Sequence, residues 1–320
     1  MYLFLNILGI FVFGEKFTLV DKLLFNNLED HENKNNFIEK LRNKYKNLEE
    51  PNEDTLMKIL LYFKNPQFFS DFYNKNLQLT KSDLKDSVIS DTLLIQSINL
   101  VDEVDKVIDL LVKKMREWYE LYNPEFSRTI ENHEKFVEKI LEKEKSELLK
   151  EINLNPNDSI GADLEQEDLE PLKSLTHQIH DLYQLRILQE NYISTLMDEF
   201  CPNLKAVCGT IVGAKVIEHA GSLKRLSELP ASTIQILGAE KALFRHLKTG
   251  AKPPKHGVIV NHPLIAKSPD SMHGKIARAL ADKISIASKV DYFKGKFIGD
   301  KLKKELEDKF RRFLNGNQTS

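Results

Sequence analysis

Cysteine is nearly missing from this sequence: among 320 residues only Cys201 and Cys208 occur, spaced C-x6-C. No second pair completes a zinc site, so two ordinary buried thiols in a reducing compartment are the expectation. Long apolar runs are missing as well. The opening MYLFLNILGIFVF has no basic leader region and no small-residue cleavage site, and it is too short to cross a hydrocarbon core of about 30 Å. It reads as buried strand in a cytosolic-type protein with no membrane partner. An excess of one charge is absent overall, the formal net charge being -2. The two parts of the chain nevertheless differ. Residues 1–200 hold 24 Lys and Arg against 38 Asp and Glu, whereas residues 201–320 hold 22 against 10. Phosphate attraction is set by local clusters, so the C-terminal third is the polyanion-binding candidate.

Catalytic constellations are lacking too. Gly209-Thr-Ile-Val-Gly213-Ala-Lys215 looks superficially like a phosphate loop, but it misses the G-x-x-x-x-G-K-[ST] spacing and follows no strand. His177 and His180 stand at i, i+3 beside Asp181 with no further ligand cluster, which suits the edge of a helix seam better than a metal site. His219, His246, His256, His262 and His273 have no nucleophile elbow and no paired acid. No catalytic residue, metal or cofactor is therefore expected in this chain.

What is present is soluble-globular composition, 41% hydrophobic and 29% charged, in a length that suits two or three domains. Residues 2–13 and Phe17 to Phe25 are β-favourable and flank the turn Gly14-Glu15-Lys16, predicting a hairpin in a small α/β domain over 1–85. Phe37, Leu41, Tyr45 and Leu48 follow at helical intervals. From Ser90 the pattern is helical, with Leu94, Ile98, Val101, Ile108, Leu111, Met115 and Trp118 on one stripe until Pro124. A second run covers about Arg128 to Lys150. After a loop from Asn153 to Asp163, a third carries Leu172 to Leu196, with Pro171 near its first turn. The last two read as an antiparallel pair, and stripes this long serve either a second copy of the chain or an intramolecular bundle. This helical region spans 86–200. Small residues then predict a compact all-α domain over 201–315, with helices at Lys275–Ser288 and Lys301–Phe313 and a frayed tail at 316–320.

The most basic and most punctuated stretch is Gly221 to Gly257, GSLKRLSELPASTIQILGAEKALFRHLKTGAKPPKHG. Lys224, Arg225, Lys241, Arg245, Lys248, Lys252 and Lys255 face only Glu228 and Glu240 there. A helix over Ala239–Lys248 places Lys241, Arg245 and Lys248 on one face, with Leu243 and Leu247 expected towards the interior. Beyond it, Pro253 and Pro254 stiffen a loop that presents Lys252, Lys255 and His256, whose imidazole suits stacking on an unpaired base. A charge run alone is more often a solvated face, but the rigid loop and the missing acid favour binding to RNA.

At these residues the sequence resembles the Nop domain family, core scaffold proteins of box C/D guide ribonucleoproteins. The matching blocks are GAKVIEHAGSLKRLSELPASTIQILGAEKALFRHLKTGAKPPKHG (Gly213 to Gly257), HPLI (His262 to Ile265), KIARALADKISIASKVD (Lys275 to Asp291) and the upstream helix Val88 to Glu125. The resemblance covers most of 88–310, and 1–85 only loosely. It implies a mainly α protein: a fibrillarin-binding N-terminal α/β domain, a long antiparallel helical coiled coil that homodimerises, and a C-terminal all-α Nop domain. It further implies a non-catalytic scaffold that bridges fibrillarin to a box C/D guide-RNA kink-turn held by a small ribosomal-protein-like kink-turn binder. Such an assembly directs ribose 2′-O-methylation of rRNA or tRNA, with S-adenosylmethionine on fibrillarin. Lys224, Glu240, Lys241, Arg245, Lys248, Lys252, Lys255 and His256 become the expected RNA and kink-turn-partner contacts. With no lysine-rich tail after Phe313, an archaeal-type, cytoplasmic protein is expected, nucleolar if eukaryotic. Two alternatives stand beside this reading: a spliceosomal-type Nop-domain protein that binds a small nuclear RNA kink-turn without a methyltransferase, and an RNA-modifying enzyme in its own right. The second has no methyl-donor site or nucleophile-plus-base set behind it.

Overall fold

The computed structural model describes residues 1–26, 30–31, 33–45, 47–64 and 66–314, so the expected tail at 316–320 lies outside the described residues. Two compact units divide at residue 89, Met1–Ile89 and Ser90–Ser320.

The first unit opens with three antiparallel strands in the order β1 (Tyr2–Asn6), β2 (Gly9–Phe13), β3 (Leu19–Leu24). The predicted first run is thus two strands and not one. The Asn6 side chain accepts from Leu8 N–H at 2.9 Å, and Gly9 runs so close to β3 that a Cβ there would lie 2.1 Å from Leu23 O. An Asx turn and an obligatory glycine reverse the chain inside what reads as one apolar segment. Every residue of β2 is buried, because helices cover both faces of the sheet. Ile10 and Val12 meet Leu41 of α1 (Lys34–Lys44), while Phe11 and Phe13 meet Ile59 of α2 (Glu53–Tyr62) and Phe68 of α3 (Pro66–Asp86).

The second unit begins with α4 (Ser90–Tyr122). The predicted second run is then three short helices, α5 (Pro124–Thr129), α6 (His133–Glu142) and α7 (Lys145–Glu151). Asn123 and Asn132 account for the starts of α5 and α6, since their side chains accept from Phe126 N–H and Lys135 N–H, whereas α7 starts after Glu144 without a side-chain cap. The Arg116 guanidinium donates to Ser127 O and Ile130 O, each at 2.7 Å, and lies 4.0 Å from the Phe136 ring centroid. After the connection that includes the 3-10 turn Pro156–Asp158 comes α8 (Gln166–Phe200), with Pro171 in its second turn. Its long antiparallel partner is α4 and not the 128–150 segment. Leu94, Ile98 and Val101 share a core with Ile193 and Met197, and Val104 to Tyr119 share one with Leu172, Ile179 and Tyr183.

The remaining helices are α9 (Pro202–Cys208), α10 (Thr210–Ala220), α11 (Leu223–Glu228), α12 (Ala231–Ile236), α13 (Glu240–Thr249), α14 (Pro263–Ala266), α15 (Asp270–Tyr292) and α16 (Gly299–Leu314). Ile276, Leu280 and Ile284 of α15 sit in a core shared with α9 to α12 and with Leu302, Leu306 and Phe310 of α16. The glycine-lysine motif considered above is helical: Lys215 pairs with Asp102 at 2.6 Å, and Gly213 makes room for Met197. Cys201 and Cys208 are free and buried, and burial pushes both thiols up. Among the described residues no helix is long and apolar enough to cross a membrane.

Candidate nucleic-acid interface

Short elements hung from this core present the basic stretch. Gly221, in the left-handed region at φ 88°, ends α10, and the Ser222 hydroxyl accepts from Arg225 N–H at 3.1 Å to start α11. Buried Leu223 and Leu226 anchor α11, and the carboxylate of buried Asp91 on α4 accepts from Leu223 N–H at 3.0 Å. Burial raises the Asp91 carboxyl against the pull of that hydrogen bond. Lys224 and Arg225 are left on the exposed side.

Gly238 sets the next turn at φ 81°, where a Cβ would lie 2.5 Å from Val258 Cγ1 and 3.0 Å from His219 Nε2. Its N–H donates to the Glu240 carboxylate at 2.8 Å. Glu240, a predicted contact residue, thus holds the start of α13. The helix ends at Gly250 (φ 69°), with His246 and Lys248 in the last turn, where cations meet the carbonyl end of the helix dipole.

No residue of α13 is buried. Lys241, Arg245 and Lys248 share one exposed face, as their spacing predicts. Leu247, expected inside, is instead 69% exposed, and Phe244 is 63% exposed. At 100° per residue these two project beside the basic stripe, while Ala242, Leu243 and His246 form the half-buried side. The face is therefore mixed, three cations flanked by two large apolar groups.

The Lys252–Gly257 loop is clamped at its far end. Gly257 N–H donates to Gln235 O and Val258 N–H to Leu237 O, each at 2.8 Å, and Gln235 Nε2 donates to Lys255 O at 2.6 Å. A Cβ on Gly257 would lie 1.7 Å from Leu237 O, so only glycine permits this approach. Lys255 Nζ reaches Asp270 O at 3.5 Å. The His256 ring rests 5.6 Å from that of His273, and burial, His273 and Lys255 together lower its imidazole pKa. One side of the expected stacking ring is thus already in contact with protein. Lys252 is exposed, and among the described residues no ion pair neutralises Lys224, Lys241, Arg245, Lys248 or Lys252.

Spacing alone finds the cations. It misses Phe244 and Leu247, whose exposure depends on how little of the body α13 touches, and Gln235 and His273, which reach the loop through the fold. His177 is exposed and His180 half-buried on α8, and no group of three or more metal-ligating side chains occurs among the described residues.

A family model described as Nop, snoRNA binding domain, fibrillarin, matches residues 100–312. An uncharacterized NOP5 family protein of Methanocaldococcus jannaschii is 40% identical over 276 residues, covering 80% of this chain and 66% of that protein. Nucleolar protein 56 of Caenorhabditis elegans is 37% identical over 251 residues, 71% of this chain and 51% of its own. The chain thus spans about half to two thirds of the length of these relatives. A chain of a fibrillarin/Nop5p complex crystal structure aligns over 97% of this chain and 99% of its own, with TM-score 0.45 and 22% identity, a likeness too loose to argue from.

Proposed function

The chain belongs to the Nop family, and from that premise we propose that it is a non-catalytic scaffold of a box C/D ribonucleoprotein. It bridges fibrillarin, bound through 1–85, to a guide-RNA kink-turn held by a small ribosomal-protein-like partner, so that fibrillarin with its S-adenosylmethionine methylates ribose 2′-hydroxyls of rRNA or tRNA. The observation that carries this reading is the surface from Gly238 to Gly257, where exposed cations and exposed apolar side chains adjoin. Phosphates account for Lys241, Arg245, Lys248 and Lys252, while Phe244 and Leu247 call for a protein surface. A joint RNA and protein target satisfies both.

Homodimerisation through the long helix pair belongs to the same proposal, supported by apolar side chains left outside the α4/α8 core. Leu110 is 61% exposed and Leu188 60%. An archaeal-type, cytoplasmic protein belongs to the same proposal, its archaeal-type part supported by the M. jannaschii relative. The direct test is affinity capture of fibrillarin by the full chain and by a chain lacking residues 1–89. The full chain is expected to retain fibrillarin and the truncated one to lose it. No capture by either rejects the methylation scaffold in favour of a kink-turn binder without a methyltransferase.

A further inference from the structure

Away from the surface just described, the segment joining α15 to α16 reads Tyr292-Phe-Lys-Gly-Lys-Phe297. Phe293 is 75% exposed and Phe297 53%, and the Tyr292 and Phe293 rings meet edge to face at 5.0 Å. Rings of this size forgo the gain of burial unless something else covers them.

The segment is tied down and not slack. The carboxylate of buried Asp291 accepts from Asn203 N–H at 3.1 Å, Asn203 Nδ2 at 2.7 Å and Leu204 N–H at 2.8 Å. Asn203 Oδ1 in turn accepts from Ile298 N–H at 2.7 Å, so one buried pair holds both ends of the turn against α9. Inside it, Gly295 N–H closes on Val290 O at 2.8 Å, and Lys294 takes the left-handed conformation at φ 52°. Glycine would occupy that position with less strain.

The charge is one-sided. Lys289, Lys294, Lys296, Lys301, Lys303 and Lys304 accompany only Asp291 and Asp300. Asp291 is engaged by three N–H groups, and the ion pairs nearby join Lys283 to Glu305 and Arg311 to Asp308. Among the described residues none of the six lysines forms an ion pair; Lys301 helps to hold the Glu305 carboxyl low, and Lys294 and Lys296 stand on the exposed turn itself.

We propose that the Tyr292–Phe297 turn is a second RNA-binding site, which stacks an unpaired base on Phe293 while Lys294 and Lys296 hold the flanking phosphates. Aromatic faces accept bases only from unstacked strands, which singles out single-stranded RNA over duplex. The fixed backbone keeps the ordering cost of binding low. The choice of RNA as the polyanion rests on the reading of the chain as part of a ribonucleoprotein.

The test measures binding of the full chain to a single-stranded oligoadenylate of about ten nucleotides and to an RNA duplex of equal length, at about 50 mM salt. Preference for the single strand is expected. Phe293→Ala is expected to weaken that binding about tenfold and Phe293→Tyr to restore it. Lys294→Gly relieves the backbone and so leaves the melting temperature unchanged or higher, yet lowers the slope of log affinity against log salt by about 0.7. Unchanged oligoadenylate affinity in Phe293→Ala, or no binding by the unaltered chain, overturns the proposal. The same variants are expected to keep full affinity for a kink-turn RNA bound by its small protein partner. Loss of that binding in the unaltered chain counts against the scaffold reading alone.

Discussion

Arg245 and Lys252 carry charge that no acid in the described chain neutralises, and they stand on separate supports, a helix face and a proline-stiffened loop. Arg245→Ala and Lys252→Ala are each expected to weaken binding to a preformed kink-turn RNA–protein complex by roughly 1–3 kcal/mol, with circular dichroism unchanged. Unchanged affinity with a lowered melting temperature would make them structural residues. Asp91 sits at the opposite extreme, buried with its carboxylate on Leu223 N–H. Its folded pKa is raised, so its contribution to stability is complete below the unfolded value near 3.9 and falls as pH rises through the folded value. Asn keeps a carbonyl acceptor and removes the charge. Asp91→Asn is therefore expected to gain in urea midpoint relative to the unaltered chain as pH rises from about 4 to 7, and a pH-independent difference would contradict the assignment. The cations of the site are legible in the sequence because charge needs no fold to be counted. Asp91, Gln235 and His273 are not, because their partners lie far away in the chain.

At the scale of elements, the long stripes of α4 and α8 are legible as periodicity, but periodicity does not say which stripe meets which. The run at 128–150 competes as a partner until the structure breaks it into short helices, with Asn123 and Asn132 capping the first two of the three that follow α4. Likewise Asn6 and Gly9 turn one apolar run into two strands. In both places local hydrogen bonds to asparagine side chains, helped at the strand turn by Gly9, override the apolar pattern. The true pairing also decides how to test dimerisation, since deleting 128–200 would strip α4 of its core. Leu110→Glu combined with Leu188→Glu touches only exposed positions and is expected to halve the mass by sedimentation, with helix content retained. A chain that keeps its dimer mass, or is monomeric before substitution, would show that these stripes serve no second copy.

For the molecule as a whole, the charge split between residues 1–200 and 201–320 separates an acidic part from a basic part, to which the proposed function assigns the RNA. The fold adds the apolar neighbours of that basic part, and with them the idea of a target made of RNA and protein together. The scaffold role is tested most directly by guided methyl transfer in a reconstituted mixture of fibrillarin, S-adenosylmethionine, kink-turn guide RNA, its small protein partner and a target RNA. With this chain added, a methyl group is expected at the guided ribose, and without it none. Methylation that proceeds equally well in its absence, or methyl transfer by this chain without fibrillarin, would contradict the scaffold.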